Sequence, residues 1–256
     1  MIDQNLIFSL IAAAAVGAAA GYLGSIMVLR RLALAGDVLS HVALPGIGLA
    51  LIYSLNPFLM AFIFLFAASW LIWLLEKRTR LPTEALIGIL FVASLAVGIM
   101  MIPDLEKLGE ALFGDISKID FFDVSLAVLL SALVFIVGLK IYKGLILGTI
   151  SEDLAIANGV KLRRINLLFL FLVSAVVALG VKVVGTLLMG ALVIVSATAA
   201  KNLSRSISKY AALSAIFGLV TAPSGLLIAR AYELPPGPMI ILVGIGIFLI
   251  SLIGRK

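Results

Sequence analysis

The chemistry of this chain concentrates in Gly36-Asp37-Val-Leu-Ser40-His41-Val-Ala-Leu-Pro45-Gly46, where a carboxylate and the only histidine of 256 residues stand four positions apart. On a helix these positions share a face, so Asp37 and His41 present an oxygen and a nitrogen donor together. That pair suits a divalent cation such as zinc, manganese or iron(II). Without cysteine or a methionine cluster, the chain offers little to copper(I). Two quieter roles fit the same residues: a local Asp37–His41 hydrogen bond, or Asp37 capping a helix near the cytosolic membrane border. Two ligands are too few for tight binding, because a closed zinc site needs about four. Two copies meeting on a twofold axis would supply four ligands in an exchangeable arrangement. Pro45 and Gly46 read as a helix break beside the path, one that frees backbone carbonyls toward it.

The surrounding composition sets where this chemistry operates. Apolar residues make up 63% of the chain and charged ones only 12%, which no water-soluble domain of this size could carry. The net charge of +6 comes in short basic clusters between apolar runs, the pattern of a membrane protein rather than of a nucleic-acid binder. The expected fold is therefore an all-α integral membrane bundle: one transmembrane domain over 1–256, with no separate soluble domain.

Apolar runs fall at 6–29, 36–54, 58–75, 84–102, 121–139, 165–181, 184–200, 210–230 and 237–253. These give about eight to nine transmembrane helices, with a possible break around Lys182 to Gly185. The first run reads as a retained span, since Arg30 and Arg31 follow it rather than precede it. With the N-terminus outside, fifteen of the nineteen basic residues fall in cytosolic segments. Only Lys107, Lys118, Lys182 and Arg230 fall outside, which predicts an N-out, C-in topology. Asp104, Glu106, Glu110, Asp115, Asp120 and Asp123 crowd the outer segment between the fourth and fifth spans and read as a rim facing incoming solute. Gly17-x-x-x-Gly21 is either a close helix contact, within or between chains, or the ordinary abundance of small residues in membrane helices.

Between the fifth and sixth spans, Ser151 reads as the N-cap of a short amphipathic helix, with Glu152 and Asp153 in its first turn and Asn158-Gly159 as its stop. Leu154, Ile156 and Ala157 give it an apolar side, suited to the membrane interface or to another protein. No Gly-x-x-x-x-Gly-Lys-Ser/Thr loop occurs, so any nucleotide-driven step needs a separate chain. No Gly-x-Ser-x-Gly or His-Glu-x-x-His occurs and no Ser-x-x-Lys has a partner, so no such constellation points to an enzyme.

Three stretches together resemble the membrane permeases of ABC importers for zinc, manganese and iron, and the likeness spans nearly the whole chain. The first is Arg30 to Gly46, similar to that family's signature around Asp and His in its second helix. The second is Leu112-Phe113-Gly114-Asp115-Ile116. The third is Ser151 to Arg164 followed by Val183 to Ala199, similar to a coupling helix and the helix after it. One departure is Ser196, where the family usually carries proline. The resemblance implies a homodimer in the cell membrane of a prokaryote, with no permanently bound cofactor and the metal ion as cargo. It also implies two cytosolic ATP-binding subunits docked near 151–164 at Ser151, Glu152, Asp153, Leu154, Ala155, Asn158 and Gly159, and an extracytoplasmic metal-binding protein. The alternatives are a proton-coupled secondary metal carrier and, further off, a membrane bundle with no transport role. Nucleic acid is not an expected partner.

Overall fold

The computed structural model describes residues 4–33, 35–79, 81–102, 109, 112, 119–186 and 189–254. Asp104, Glu106, Glu110 and Asp115 of the acidic segment lie outside the described residues, as does the Phe113-Gly114-Asp115 element. Hydrocarbon offers backbone groups no hydrogen bonds, so a chain this apolar satisfies them within helices. The helices are α1 (Gln4–Leu29), α2 (Ala35–Val42), α3 (Leu44–Tyr53), α4 (Pro57–Thr79), α5 (Thr83–Met101), α6 (Phe121–Ile150), α7 (Glu152–Ala157), α8 (Leu162–Val184), α9 (Met189–Leu203), α10 (Ile207–Ala231) and α11 (Pro236–Ile253). No strand occurs among the described residues.

Eight segments are long and apolar enough to cross a membrane, with α2 and α3 counted together as one. This agrees with the expected eight to nine, the apolar run at 184–200 being the one that falls short. It becomes α9, whose 15 residues extend about 22 Å against a hydrocarbon core of about 30 Å. The cause is the break anticipated near Lys182: α8 stops at Gly185, whose φ of 88° admits glycine readily and ends the helix. In the other direction, α6 runs on past 139 to Ile150. Lys140 and Lys143 lie on its exposed side, and nothing in the sequence breaks the helix before Ser151.

The bundle is built around α1, whose Ala12, Ala13, Val16, Ala19, Ala20, Leu23 and Ile26 are fully buried or nearly so. The Gly17-x-x-x-Gly21 spacing is a contact inside the chain. A Cβ on Gly17 would overlap the carbonyl oxygen of Gly218 on α10, and one on Gly21 would overlap that of Ser214. Small residues let two backbones touch where larger side chains would hold them apart. Polar ties add to this packing: Ser69 of α4 and Ser174 of α8 share a hydrogen bond of 2.5 Å, and Ser174 Oγ also reaches the Leu65 carbonyl at 3.2 Å. Such bonds between membrane helices contribute roughly 0.6 kcal/mol each.

At one end of the bundle, Arg163 lies over the Trp73 ring at 4.7 Å while Trp73 Nε1 donates to the Arg163 carbonyl at 3.2 Å. The end of α4 and the start of α8 therefore share that face with their basic residues. At the opposite end, Asp120 caps α6. Its carboxylate accepts from the Asp123 N–H at 2.8 Å, while the Asp123 carboxylate accepts from the Asp120 N–H at 3.0 Å. The first of these bonds holds the Asp120 carboxyl below its ordinary range. Asp123 also pairs with Lys182 at 2.5 Å, joining the start of α6 to the end of α8. Two members of the expected acidic rim are thus engaged in capping and cross-linking helices.

Substituting Gly218 with valine should force α10 off α1, because its Cβ would overlap the Gly17 carbonyl oxygen and stand 2.7 Å from the carbonyl carbon. Overpacking of this kind costs about 1–3 kcal/mol, to be read as a lower melting temperature of the purified protein in detergent. Gly88→Ala, at a position with nothing within 4 Å, is the control and should melt like the parent.

Candidate functional site

The element that carries Asp37 and His41 is the most buried of the eight spans, with 72% of its apolar window inside the bundle. It breaks at Ala43, between α2 and α3. Pro45 lies in the first turn of α3 and has no N–H to return to the His41 carbonyl. Gly46 has a packing role as well: a Cβ there would stand 2.6 Å from the Met60 carbonyl oxygen, so α3 meets α4 backbone to backbone. The expected break is present. It yields two short helices, of which α2 has only eight residues to hold the site.

Neighbours hold α2 in place from two sides. The single hydroxyl proton of Ser40 faces two carbonyls, that of Asp37 at 2.6 Å and that of Thr186 in the link after α8. On α9, a Cβ at Gly190 would fall on the backbone N, Cα and Cβ of Asp37, so only glycine lets the first turn of α9 lie against the carboxylate-bearing residue. The break after α8 therefore delivers one carbonyl and one helix start directly onto α2. Thr186 and Gly190 are part of the site, yet the sequence reading passed over them. An isolated glycine inside the run Leu-Leu-Met-Gly-Ala was the one available signal of a close approach.

Neither of the quieter roles for Asp37 holds in this geometry. The helix begins at Ala35, which leaves Asp37 in its first turn rather than at the cap, where the helix dipole favours a carboxylate. No Asp37–His41 hydrogen bond forms among the described residues. His41 is 7% exposed, its ring meets Phe91 of α5 edge-on at 5.3 Å, and its Nδ1 is buried without a hydrogen-bond partner among those residues. A buried imidazole nitrogen left unpaired is costly, and it is also a free lone pair or a free donor. Among the described residues no three His, Asp or Glu side chains converge, so no third such side chain joins Asp37 and His41 there.

Farther along the chain, the elbow folds much as its sequence indicates. Ser151 Oγ accepts from the Leu154 N–H at 3.3 Å, and Glu152 and Asp153 occupy the first turn of α7. Asn158 Nδ2 donates to the Leu154 carbonyl at 2.7 Å, and Gly159 turns the chain with a φ of 75°. The facing of its apolar residues differs from the expected docking set. Ala155 is fully buried against the bundle, whereas Leu154 and Ile156 are 46% and 61% exposed. Successive positions on a helix turn by about 100°, so Ala155 can seat the elbow while Leu154 and Ile156, about 100° to either side of it, stay exposed. Ser196, which stands where proline was expected, is buried inside α9, and the helix continues through it to Leu203.

A sequence model described as the ABC 3 transport family matches residues 2–255. The chain is 30% identical over 236 residues to the high-affinity zinc uptake system membrane protein ZnuB of Buchnera aphidicola, covering 90% of each chain. It is 30% identical over 246 residues to the manganese transport system membrane protein MntC of Listeria innocua, covering 95% of this chain and 88% of that one. Among solved structures, PsaBC from Streptococcus pneumoniae in complex with Fab superposes with a TM-score of 0.85 at 30% identity, covering 97% of this chain and 91% of that chain. A full-length family match, an all-helical fold with eight membrane-length segments and a superposable relative agree, and this chain belongs to the ABC 3 transport family as a multi-pass permease of the plasma membrane.

Proposed function

We propose that this permease carries a divalent transition-metal ion, zinc or manganese with iron(II) as a third candidate, into the cytosol by alternating access, driven by ATP hydrolysis on separate subunits. The observation that carries the proposal is the Asp37–His41 pair: two metal-ligand side chains on one face of an eight-residue helix, with the imidazole Nδ1 buried and unbonded. Intramembrane carboxylates and imidazoles of this kind are the ordinary material of ion pathways. Relatives named for zinc and for manganese support both ions. An oxygen–nitrogen donor set does not choose between them, since such sites follow the general affinity order of the metals.

In this reading the permease works as a homodimer. Two copies of Asp37 and His41 meet across a twofold axis and complete a four-ligand site that stays weak enough to release its ion. Two ATP-binding subunits engage the elbows, with Leu154 and Ile156 as the contact side chains, and an extracytoplasmic metal-binding protein delivers the cargo. The N-terminus is outside and the C-terminus inside, which counts the short α9 as a ninth crossing within the bundle. Support for that topology comes from the fifteen-to-four distribution of basic residues, with Arg163 and Arg164 on the same face as Lys77 and Arg78.

Asp37→Asn and His41→Ala should each insert and assemble normally yet lower metal uptake by about two orders of magnitude in cells or vesicles, because each removes half of the ligands a chain supplies. In the absence of metal, Asp37→Asn should melt no lower than the parent, since it removes a half-buried carboxylate that accepts no hydrogen bond. Uptake at the parent rate in both variants would remove the pair from the path.

At the elbow, Leu154→Glu and Ile156→Glu should weaken co-purification with the ATP-binding subunit and lower metal-dependent ATP hydrolysis, with unchanged melting of the isolated permease. Ala155→Arg should lower the melting temperature instead, because its side chain points into the bundle. A cysteine probe at Glu76 should react with an impermeant reagent only from the cytosolic side. Labelling from outside intact cells would reverse the topology and place the elbow beyond the reach of ATP.

A further inference from the structure

Metal ligands and elbow lie on different elements, and Arg30 bridges the segments that carry them. Turn hydrogen bonds tie the end of α1 to the start of α2: the Arg30 N–H closes on the Ile26 carbonyl at 3.0 Å, the Leu32 N–H on Met27 at 2.8 Å, and the Ala35 N–H on Leu32 at 3.0 Å. A displacement of Arg30 is therefore passed to the start of α2, two residues before Asp37. Its guanidinium, in turn, is fixed on α8. Nη2 donates to Asn166 Oδ1 at 3.0 Å, and the planar group lies 5.3 Å over the Phe169 ring.

Asn166 and Phe169 belong to the start of α8, the segment the elbow leads into. The Val160 N–H bonds back to the Ala155 carbonyl at 3.0 Å, so α7 and α8 are tied with little slack between them. Burial lowers the Arg30 pKa, and Glu76 at the end of α4 and Glu152 of the elbow act electrostatically on the guanidinium in the opposite direction. Arginine alone combines a fixed charge, a flat face for an aromatic ring and in-plane donors for an amide oxygen. A basic residue serving only membrane orientation would need none of these contacts.

We propose that Arg30 is the positioning residue through which movement of the elbow reaches the metal-bearing helix. The inference rests on the transport reading above and adds to it the mechanical connection between the ATP-driven part and the ligand pair. Loss of the guanidinium uncouples the two without removing either.

The test uses the complete assembly of permease, ATP-binding subunits and metal-binding protein in sealed vesicles, with zinc or manganese supplied and both metal uptake and ATP hydrolysis read in the same sample. Arg30→Met keeps the apolar stem and removes charge, donors and plane. Asn166→Ala removes only the acceptor. Both variants should retain the ATP-binding subunits and hydrolyse ATP near the parent rate, while metal moved per ATP falls at least about fivefold in Arg30→Met and in the same direction in Asn166→Ala, as loss of a site-to-site coupling requires. Arg30→Lys, which keeps the charge and loses the plane, should fall between. A parent-like ratio of metal to ATP in both Arg30→Met and Asn166→Ala overturns the assignment. So does the loss of ATP-binding subunits from both, which would make Arg30 a docking or folding residue. A parent complex that hydrolyses ATP and moves neither metal would overturn the transport reading itself.

Discussion

Hydrocarbon supplies no hydrogen bonds, so every polar group drawn into this bundle is satisfied by the protein or left open for whatever passes through it. Most are satisfied. Ser69 and Ser174 bond each other and nearby carbonyls, Thr198 bonds back to Ile194, and Ser40 lies between two carbonyls. Among the described residues His41 Nδ1 has no partner, and the buried hydroxyls of Thr186, Ser196 and Thr221 share that condition. Burying polar groups without such bonds lowers stability, a cost that the proposed metal path accounts for at Asp37 and His41 by leaving their donors free for an ion.

Holding that pair open depends on backbones packed closely enough to fix α2 from outside. Gly190 presses α9 onto Asp37, Gly46 brings α3 onto α4, and the Gly17–Gly218 contact keeps α1 and α10 together behind them. Each contact is between main chains, where no side-chain rotation can relax it. The result is a candidate site defined by helix positions rather than by rotamers, a geometry that shifts of packed helices alter.

The fold was legible wherever one segment determined its own state. Apolar runs located the spans, and Ser151, Asn158 and Gly159 set the ends of the elbow, because length and capping are local properties. Facing was less legible. Leu154, Ala155 and Ile156 are three consecutive apolar residues, and a six-residue helix offers too little periodicity to say which one turns inward. The role of Gly190 depends on α2, some 150 residues away in sequence, and the engagement of Asp123 depends on Lys182. Neither can be read from the run that contains it. A count of acids is also blind to their engagement: Asp120 and Asp123 cap a helix, and Asp123 holds a lysine.

The length of α6 has a consequence for the protein before assembly. Thirty helical residues extend about 45 Å, roughly 15 Å more than the hydrocarbon core, so the far end of this helix emerges into water. Under the proposed docking, the exposed Leu154 and Ile156 that follow it are what a partner would cover, and a copy without one would present two apolar side chains of the kind that chaperones and proteases recognise. Matched production of the subunits would then follow from geometry.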